Sequence, residues 1–419
     1  MAKKFNDIRG TLMFPFKNND IISDIHQCTV SHNKKNVFRG FHCNNFDKLV
    51  TCIKGKVLDI IINLDENHEE YLIAKYYELD SMSDNNQVLV PRNYAHGFLS
   101  LENDTILLYH FNGSFDQATT RTIHYLDPYI NIKLPTNNIV ISEKDNNAGF
   151  IKPVDYILLG STGYIGSNIY NTLIKQNKNV ITIADRLCDI VTIKNKLLLY
   201  KPKYVINAAG LTGVPNISWC ETNKIPTIET NITYQLTLTK ICNDLKIHLT
   251  IIGSGGIFKG DGIKSEQDSG NFIDTFYSEC RIYLENLIKY YPNCLYLRVN
   301  YPLSSDNNFK NLIVKLSKWN KIVDSSLSVT CLDSLIPLLS KIVESNEVGI
   351  LNFVNPGIIN LVDIKRKYNK INNITDKFEI IENSDKSIPI LDTSLIEKYN
   401  PENINTSLDK CIYKLGELN

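Results

Sequence analysis

Residues 156–166 read YILLGSTGYIG, and the architecture of most of the chain follows from them. Four apolar residues, Tyr156 to Leu159, end at Gly160, and Gly163 and Gly166 follow at three-residue spacing. A helix-like stretch, Ser167 to Gln176, comes next. Strand, glycine turn and helix in that order make a dinucleotide site, in which backbone amides at a helix N-terminus face a pyrophosphate. The expected cradle is Gly160, Thr162, Gly163, Tyr164, Ile165 and Gly166. Such a unit usually opens its domain. Here about 150 residues precede it, so something else folds first.

Working outward, the chain from Asp155 onward alternates strand and helix patterns. Strands are expected at 156–159, 180–184, 204–207, 249–252 and 295–299, with helices at 230–243 and 277–290. That alternation predicts a doubly wound α/β parallel sheet. The first 150 residues read as all-β. Short runs at 49–53, 56–63, 71–78, 87–90 and 106–111 are separated by turn residues, which suggests a sandwich or barrel. The linker falls at Asn146–Pro153, giving domains 1–150 and 154–419.

Composition narrows the class. Of 419 residues, 43% are apolar and 21% charged, as in ordinary globular proteins. The formal net charge is zero, which favours neither nucleic acid nor an anionic membrane as partner. No apolar run approaches the roughly 18–20 residues that cross a bilayer. The start, MAKKFNDIRG, lacks the apolar core of a signal peptide. Ten cysteines are scattered without a C-x-x-C pair, so reduced thiols in a cytoplasmic protein are expected.

Before the linker stand Arg39-Gly40-Phe41-His42, just ahead of an expected strand, then Lys48, then Pro91-x-x-x-Ala95-His96-Gly97-Phe98, then Tyr109. Singly, His42 and His96 read as hydrogen-bonded barrel residues. A metal site needs more ligands than the run His42-Cys43-Asn44 offers, so no metal is expected. In order, RGFH, PRNYAHGF, Tyr109 and ISEKD (141–145) resemble the cupin-fold dTDP-4-dehydrorhamnose 3,5-epimerase family over about residues 5–150. The resemblance implies a cupin-like jelly roll. It implies His42 as the base that removes a proton α to a C4 ketone, with Asp145 orienting it. Tyr109 is then the acid on the opposite sugar face, and Lys48 stabilises the enolate. Arg9, Gln27, Arg39 and His96 are implied to hold the nucleotide diphosphate or the sugar. Two features depart from that family. Phe115 stands where a second tyrosine is common, and the loop between His42 and Lys48 is short. Both leave open whether C3 alone or C3 and C5 are inverted.

In the second half, Asn207-Ala208-Ala209-Gly210 and Gly253-Ser254-Gly255-Gly256 each follow an expected strand, and Tyr277-Ser278-Glu279-Cys280-Arg281 opens a helix. With NAAGLTGVPNISWCE (207–221) these pieces resemble extended short-chain dehydrogenases of the Rossmann fold. They are most similar to dTDP-4-dehydrorhamnose reductases and to the reductase half of plant-type epimerase/reductases, over about residues 155–400. The resemblance implies Tyr277 as proton donor to the ketone and Ser254 as a second donor. Arg281 occupies the place of the usual lysine; it keeps the charge but cannot relay a proton. Asn207, Ala208, Ala209 and Gly210 are implied to line the cofactor, Asp189 to lie near its adenine, and Asn300 to line the substrate cleft. After the second expected strand comes Asp185-Arg186. An acid there suits the ribose of NAD and an arginine suits the 2′-phosphate of NADP, so NADPH is favoured over NADH.

Together the halves imply a bifunctional enzyme: epimerisation, then NAD(P)H-dependent reduction, of an NDP-4-keto-6-deoxyhexose to an NDP-L-rhamnose-like sugar. The substrate is expected from a separate 4,6-dehydratase, and a homodimer is implied by the epimerase family. Three alternatives stay open: a 2-acetamido sugar, a 3,4-ketoisomerase in the first half, and a non-catalytic NAD(P)-binding regulator. UDP and dTDP are not distinguished.

Overall fold

The computed structural model describes residues 3–8, 10–16, 22–114, 121–213, 216–375, 377–382 and 388–417. The chain divides into two compact units, Met1–Lys152 and Pro153–Asn419.

The first unit is built from antiparallel strands. A hairpin, β1 (Lys3–Asp7) and β2 (Gly10–Phe14), precedes β3 (Gln27–Asn33), β4 (Phe38–Cys43), β5 (Lys48–Lys54) and β6 (Lys56–Asn63). Then come β7 (Ala74–Asp80), β8 (Gln87–Val90), β9 (Tyr94–Ser100), β10 (Thr105–Phe111) and β11 (Arg121–Thr122). They form two sheets, ordered β3-β10-β5-β8 and β11-β4-β9-β6-β7. Strand side chains alternate between faces, and that alternation builds the core between the sheets. Leu107, Tyr109 and Phe111 of β10 meet Val50 and Cys52 of β5, and Ile61 and Phe98 of the facing sheet. Each fully buried Val, Leu, Ile or Phe stabilises by roughly 1.5–3 kcal/mol. A second apolar layer, with Phe38, Phe41, Ile60, Ile62 and Leu99, covers the other face of the five-stranded sheet. The chain from Ile123 to Ile151 packs over it. That return path brings residue 145 back to β4.

The RGFH segment was expected ahead of a strand, and His96 in no strand. Both segments are themselves strands, β4 and β9, paired with each other. Their glycines and polar residues break the apolar alternation that marks a strand in sequence. The register slips by one between Arg39 and His42, so two residues of β4, Gly40 and Phe41, oppose Gly97. This is a β-bulge. It has a steric cause: a Cβ on Gly40 would lie 2.6 Å from Gly97 Cα. The extra residue turns His42 to the face that Arg39 occupies, directly across from His96.

The second unit holds a six-stranded parallel sheet. Its order is Val180–Ile183, Tyr156–Leu159, Tyr204–Asn207, His248–Ile252, Cys294–Val299, Gly349–Phe353. Five of these six were expected from the sequence within a residue or so; Gly349–Phe353 was not. Along Tyr156–Leu159, alternate residues enter two separate cores, one on each face. Burial on both faces explains the continuous apolar runs. A third core joins the helices Leu312–Lys318, Leu361–Ile371 and Ile404–Glu417. The expected helix 230–243 begins with a π-helical turn, Glu229–Thr233, before the α-helix Tyr234–Asp244.

In this order the first strand lies between the second and the third. The winding direction therefore reverses between Tyr156–Leu159 and Tyr204–Asn207. Ligands of open α/β sheets bind at the carboxyl ends of strands at such a reversal. Gly160 and Ala208 are the residues that leave those two ends.

Candidate active sites

In the first unit, β4, β5, β6, β9 and β10 contribute His42, Lys48, Asp59, His96 and Tyr109. His42 Nε2 lies 2.7 Å from Asp145 Oδ1, across 103 residues of sequence. Ser142 caps the short helix Glu143–Asn146 and accepts from Asp145 N–H at 3.1 Å, while Gly40 N–H donates to Asp145 Oδ2 at 3.3 Å. Burial works against the Asp145 carboxylate, but its interactions with His42, Gly40 N–H and Ser142 outweigh it and hold the acid below its usual range. The His42 side chain is 35% exposed and its partner only 5%, so the ring can meet a substrate while the acid stays behind it.

His96 forms a second such pair. Its Nε2 lies 2.8 Å from Asp59 Oδ2, and both are buried. Burial pushes His96 down in spite of the Asp59 charge. Asp59 was not singled out from the sequence. Its signal was a lone carboxylate inside the apolar run Val57–Ile62. Lys48 is buried nearby, 3.4 Å from Asn44 Oδ1. Burial pulls its ammonium down to about 8, although Asp59 and Cys43 favour the charge. Burial raises the Tyr109 phenol, against a hydrogen bond with Ser31 Oγ at 3.3 Å. Ser31 Oγ accepts from Asn33 Nδ2 at 3.0 Å, and Asn33 Oδ1 accepts from Arg39 Nε at 2.8 Å. Tyr109 and the exposed Arg39 thus share one network. Gln27 lies on β3 opposite Phe111. Arg9 and Phe115 lie outside the described residues. Among the described residues, no group of three or more His, Cys, Asp or Glu could hold a metal ion.

In the second unit the motif glycines meet at the sheet reversal. A Cβ on Gly166 would lie 2.0 Å from Gly160 O, and one on Gly160 would lie 2.5 Å from Ala209 N. The turn after the first strand, the helix Tyr164–Lys175 and the Asn207–Gly210 segment therefore pack at contact distance. The Tyr164 side chain is buried, its hydroxyl 2.7 Å from Ser304 Oγ, so only its backbone remains for a ligand. Ile165 packs against the core and Thr162 is exposed. Asn207 is also turned inward. Its amide donates to Gln235 Oε1 at 2.5 Å and its oxygen accepts from Ala209 N–H at 3.0 Å. Gln235 donates to Ala209 O, and Asn231 bonds both backbone groups of Leu211 at 2.8 and 2.9 Å. These two positioning residues were missed. They lie four apart on the helical stretch that begins with the π-turn, a feature frequent at functional sites.

The helix Phe276–Ile288 carries Tyr277 and Arg281. Thr275 caps it by accepting from Ser278 N–H, and Glu221 accepts from Phe276 N–H at 2.8 Å. Ser278 donates to Gly256 O at 2.8 Å, and Ser254 Oγ accepts from Gly256 N–H at 3.2 Å. The turn bearing Ser254 is thereby fastened to the helix start. Arg281 Nε donates to Tyr277 Oη at 3.3 Å, with the guanidinium 5.3 Å from the ring centroid. A Cβ on Gly210 would lie 2.6 Å from Arg281 Nη2, so the motif around Gly210 touches this pair. Burial opposes the Arg281 charge, but Tyr277 and Tyr296 outweigh it and raise the group above its ordinary value. Arg281 Nη1 is buried without a hydrogen-bond partner among the described residues. The glycine cradle and this buried cation beside Gly210 fit a nicotinamide dinucleotide, whose pyrophosphate and ribose need backbone amides and a cation.

Three expected ligands are engaged elsewhere. Asp185 is ion-paired with Lys196. Asp189 caps the helix Ile190–Tyr200, accepting from Thr192 N–H at 3.3 Å. Asn300 is buried behind Gly255 and donates to Ser328 O at 2.7 Å. Arg186 is exposed, with no ion-pair partner among the described residues.

The profile of the dTDP-4-dehydrorhamnose 3,5-epimerase family matches residues 1–152, and that of the NAD-dependent epimerase/dehydratase family matches residues 156–295. The bifunctional dTDP-4-dehydrorhamnose 3,5-epimerase/dTDP-4-dehydrorhamnose reductase of Arabidopsis thaliana is 36% identical over 233 residues, 54% of this chain and 77% of that one. The chain belongs to this epimerase–reductase family. A trifunctional UDP-glucose 4,6-dehydratase/UDP-4-keto-6-deoxy-D-glucose 3,5-epimerase/UDP-4-keto-L-rhamnose-reductase of the same plant is 34% identical over 268 residues, 62% of this chain. The chain spans only 39% of that relative's length. The structure of the UDP-rhamnose synthase of Acanthamoeba polyphaga mimivirus shares the fold, with a TM-score of 0.59 at 24% identity over 63% of this chain and all of that one.

Proposed function

We propose that the chain is a bifunctional nucleotide-sugar enzyme that epimerises an NDP-4-keto-6-deoxyhexose and then reduces its C4 ketone, giving an NDP-L-rhamnose-like product. Residues 1–150 act as a cupin-type jelly-roll epimerase, and residues 154–419 as a Rossmann-fold reductase of the extended short-chain type. The observation that carries this is the presence of one acid–base set in each unit: His42–Asp145 with Lys48 and Tyr109, and Tyr277–Arg281 beside the glycine cradle.

In the first unit, His42 takes the proton α to the ketone, and Asp145 balances the charge that the ring gains. The enolate oxygen falls to the Lys48 ammonium, since such a proton is acidic only while a cation or donor holds the enolate. Tyr109, kept protonated by burial, returns a proton on the other face. In the second unit, bound NADPH supplies the hydride. Tyr277 gives its proton to the ketone oxygen, with Ser254 as the neighbouring donor. Arg281 stabilises the phenolate that remains. Exposed Arg186 supports NADP over NAD as the cofactor.

The substrate is the 4-keto product of a 4,6-dehydratase reaction. The outer face of the four-stranded sheet, with Val30, Ile53 and Leu89 exposed, supports a homodimer. All ten cysteines are free thiols, in keeping with a cytoplasmic setting. The test is incubation with UDP- and dTDP-4-keto-6-deoxyglucose plus NADPH, with products read by NMR. An L-rhamno-configured product supports the proposal. Unchanged substrate with every 4-keto sugar overturns it.

A further inference from the structure

We propose that Lys196 sets the cofactor preference of the second unit, by neutralising Asp185 so that Lys196 and Arg186 together receive a 2′-phosphate. This rests on the reading of that unit as a nicotinamide-dependent reductase. Asp185 and Arg186 lie just beyond Val180–Ile183, the strand paired beside Tyr156–Leu159 with Ile183 opposite Leu159. They therefore stand next to Gly160, at the end of the sheet where the glycine cradle lies. A free carboxylate there accepts from a ribose 2′-hydroxyl and repels a phosphate.

In this chain the carboxylate is not free. Lys196 Nζ, from the helix Ile190–Tyr200, is ion-paired with Asp185 Oδ2. The next acid along, Asp189, is occupied by Thr192 N–H. Asp185, Arg186 and Lys196 together carry one net positive charge. Neither lysine nor arginine is buried: Arg186 is exposed and the Lys196 side chain is 35% exposed, so both can turn towards a ligand. A dianionic phosphate is favoured by that balance, and a neutral ribose diol is left without its acceptor. The arrangement makes Lys196 the deciding residue. Without it, Arg186 faces a bare carboxylate that competes with the phosphate.

The test measures the dissociation constants of NADPH, NADH and adenosine 2′,5′-bisphosphate by calorimetry on the full chain, with no sugar present. Lys196→Met is expected to weaken NADPH and the bisphosphate by about tenfold or more, the worth of a charge-assisted contact. NADH should be unchanged or tighter. Lys196→Arg should keep the wild-type preference, and adding Asp185→Asn to Lys196→Met should return part of the NADPH affinity, which a merely structural lysine would not allow. An NADPH-to-NADH ratio unchanged in Lys196→Met overturns this proposal alone. A wild-type chain that binds neither dinucleotide overturns the reductase reading and this proposal with it.

Discussion

The two units assemble their proposed reactive pairs by opposite routes. In the first, His42 and Asp145 meet across 103 residues, and a bulge in β4 is needed to aim the histidine. In the second, Tyr277 and Arg281 lie four apart on one helix, a spacing that places side chains on the same face. Each of these sites also holds a buried cation, Lys48 in one and Arg281 in the other, and the two differ chemically. Lys48 is pulled down to about 8 by burial, whereas Arg281 is held above its ordinary value by Tyr277 and Tyr296. A long-range site can thus carry a cation that titrates near neutrality, while the helix-borne site carries one that stays charged. Charge in the first site is adjustable by pH, and in the second it is fixed.

The sharpest way to break this comparison is to delete one reactive group from each unit. His42→Ala should slow exchange of sugar protons with deuterated water by roughly 10²–10⁴-fold, with NADPH binding unchanged. Tyr277→Phe should slow ketone reduction by a similar factor and leave the exchange intact. Loss of NADPH binding in His42→Ala, read by calorimetry, or loss of exchange in Tyr277→Phe, read by NMR, would mean that the units do not work separately.

The second test uses the two cations. Lys48→Met should cost exchange roughly 10²–10³-fold, the scale of a lost oxyanion donor. In the wild type, Lys48 is charged below about pH 8 and neutral above it, because burial lowers its value. Exchange should therefore fall as pH rises through about 8. Lys48→Arg should move that falling limb to higher pH, and the limb should be absent from cofactor-dependent reduction.

Arg281 gives a smaller effect. Arg281→Ala removes a charge-assisted bond to Tyr277, which is worth about 1.5–3 kcal/mol, or roughly 10–100-fold in turnover. Arg281→Lys should keep or raise the turnover. Wild-type behaviour of Arg281→Ala in a pH–rate profile would detach the arginine from the chemistry. The smallest effect belongs to Thr275, the cap of the Tyr277 helix. Thr275→Ala should cost about 1 kcal/mol and lower the melting temperature of the second unit by about 2–4 °C, read by calorimetry, with reduction retained.

The same contrast explains what the sequence revealed. The parallel sheet was legible because its strands are buried on both faces and read as apolar runs, as in Tyr156–Leu159 and Tyr204–Asn207. The Tyr277–Arg281 pair was named by resemblance, and its partners are near neighbours on one helix. Strands β4 and β9 were hidden, since Gly40, Gly97, His42 and His96 interrupt the alternation. Asp59 was hidden inside an apolar strand, and Lys196 lies eleven residues beyond the acid it pairs with. Asn231 and Gln235 act only through a loop twenty or more residues away. Resemblance, rather than spacing, named Asp145. No local rule links it to His42, and only the returning chain over the five-stranded sheet brings the two together.

The most direct test of the two-site account is one incubation in deuterated water of the full chain with a UDP- or dTDP-4-keto-6-deoxyglucose and NADPH, read by proton NMR. The account predicts a reduced sugar that carries solvent deuterium at C3, or at C3 and C5, and protium from the cofactor at C4. His42→Ala should abolish the deuterium, and Tyr277→Phe should leave deuterated but unreduced ketone. A reduced product without deuterium, or oxidation of NADPH that survives Tyr277→Phe, would contradict it.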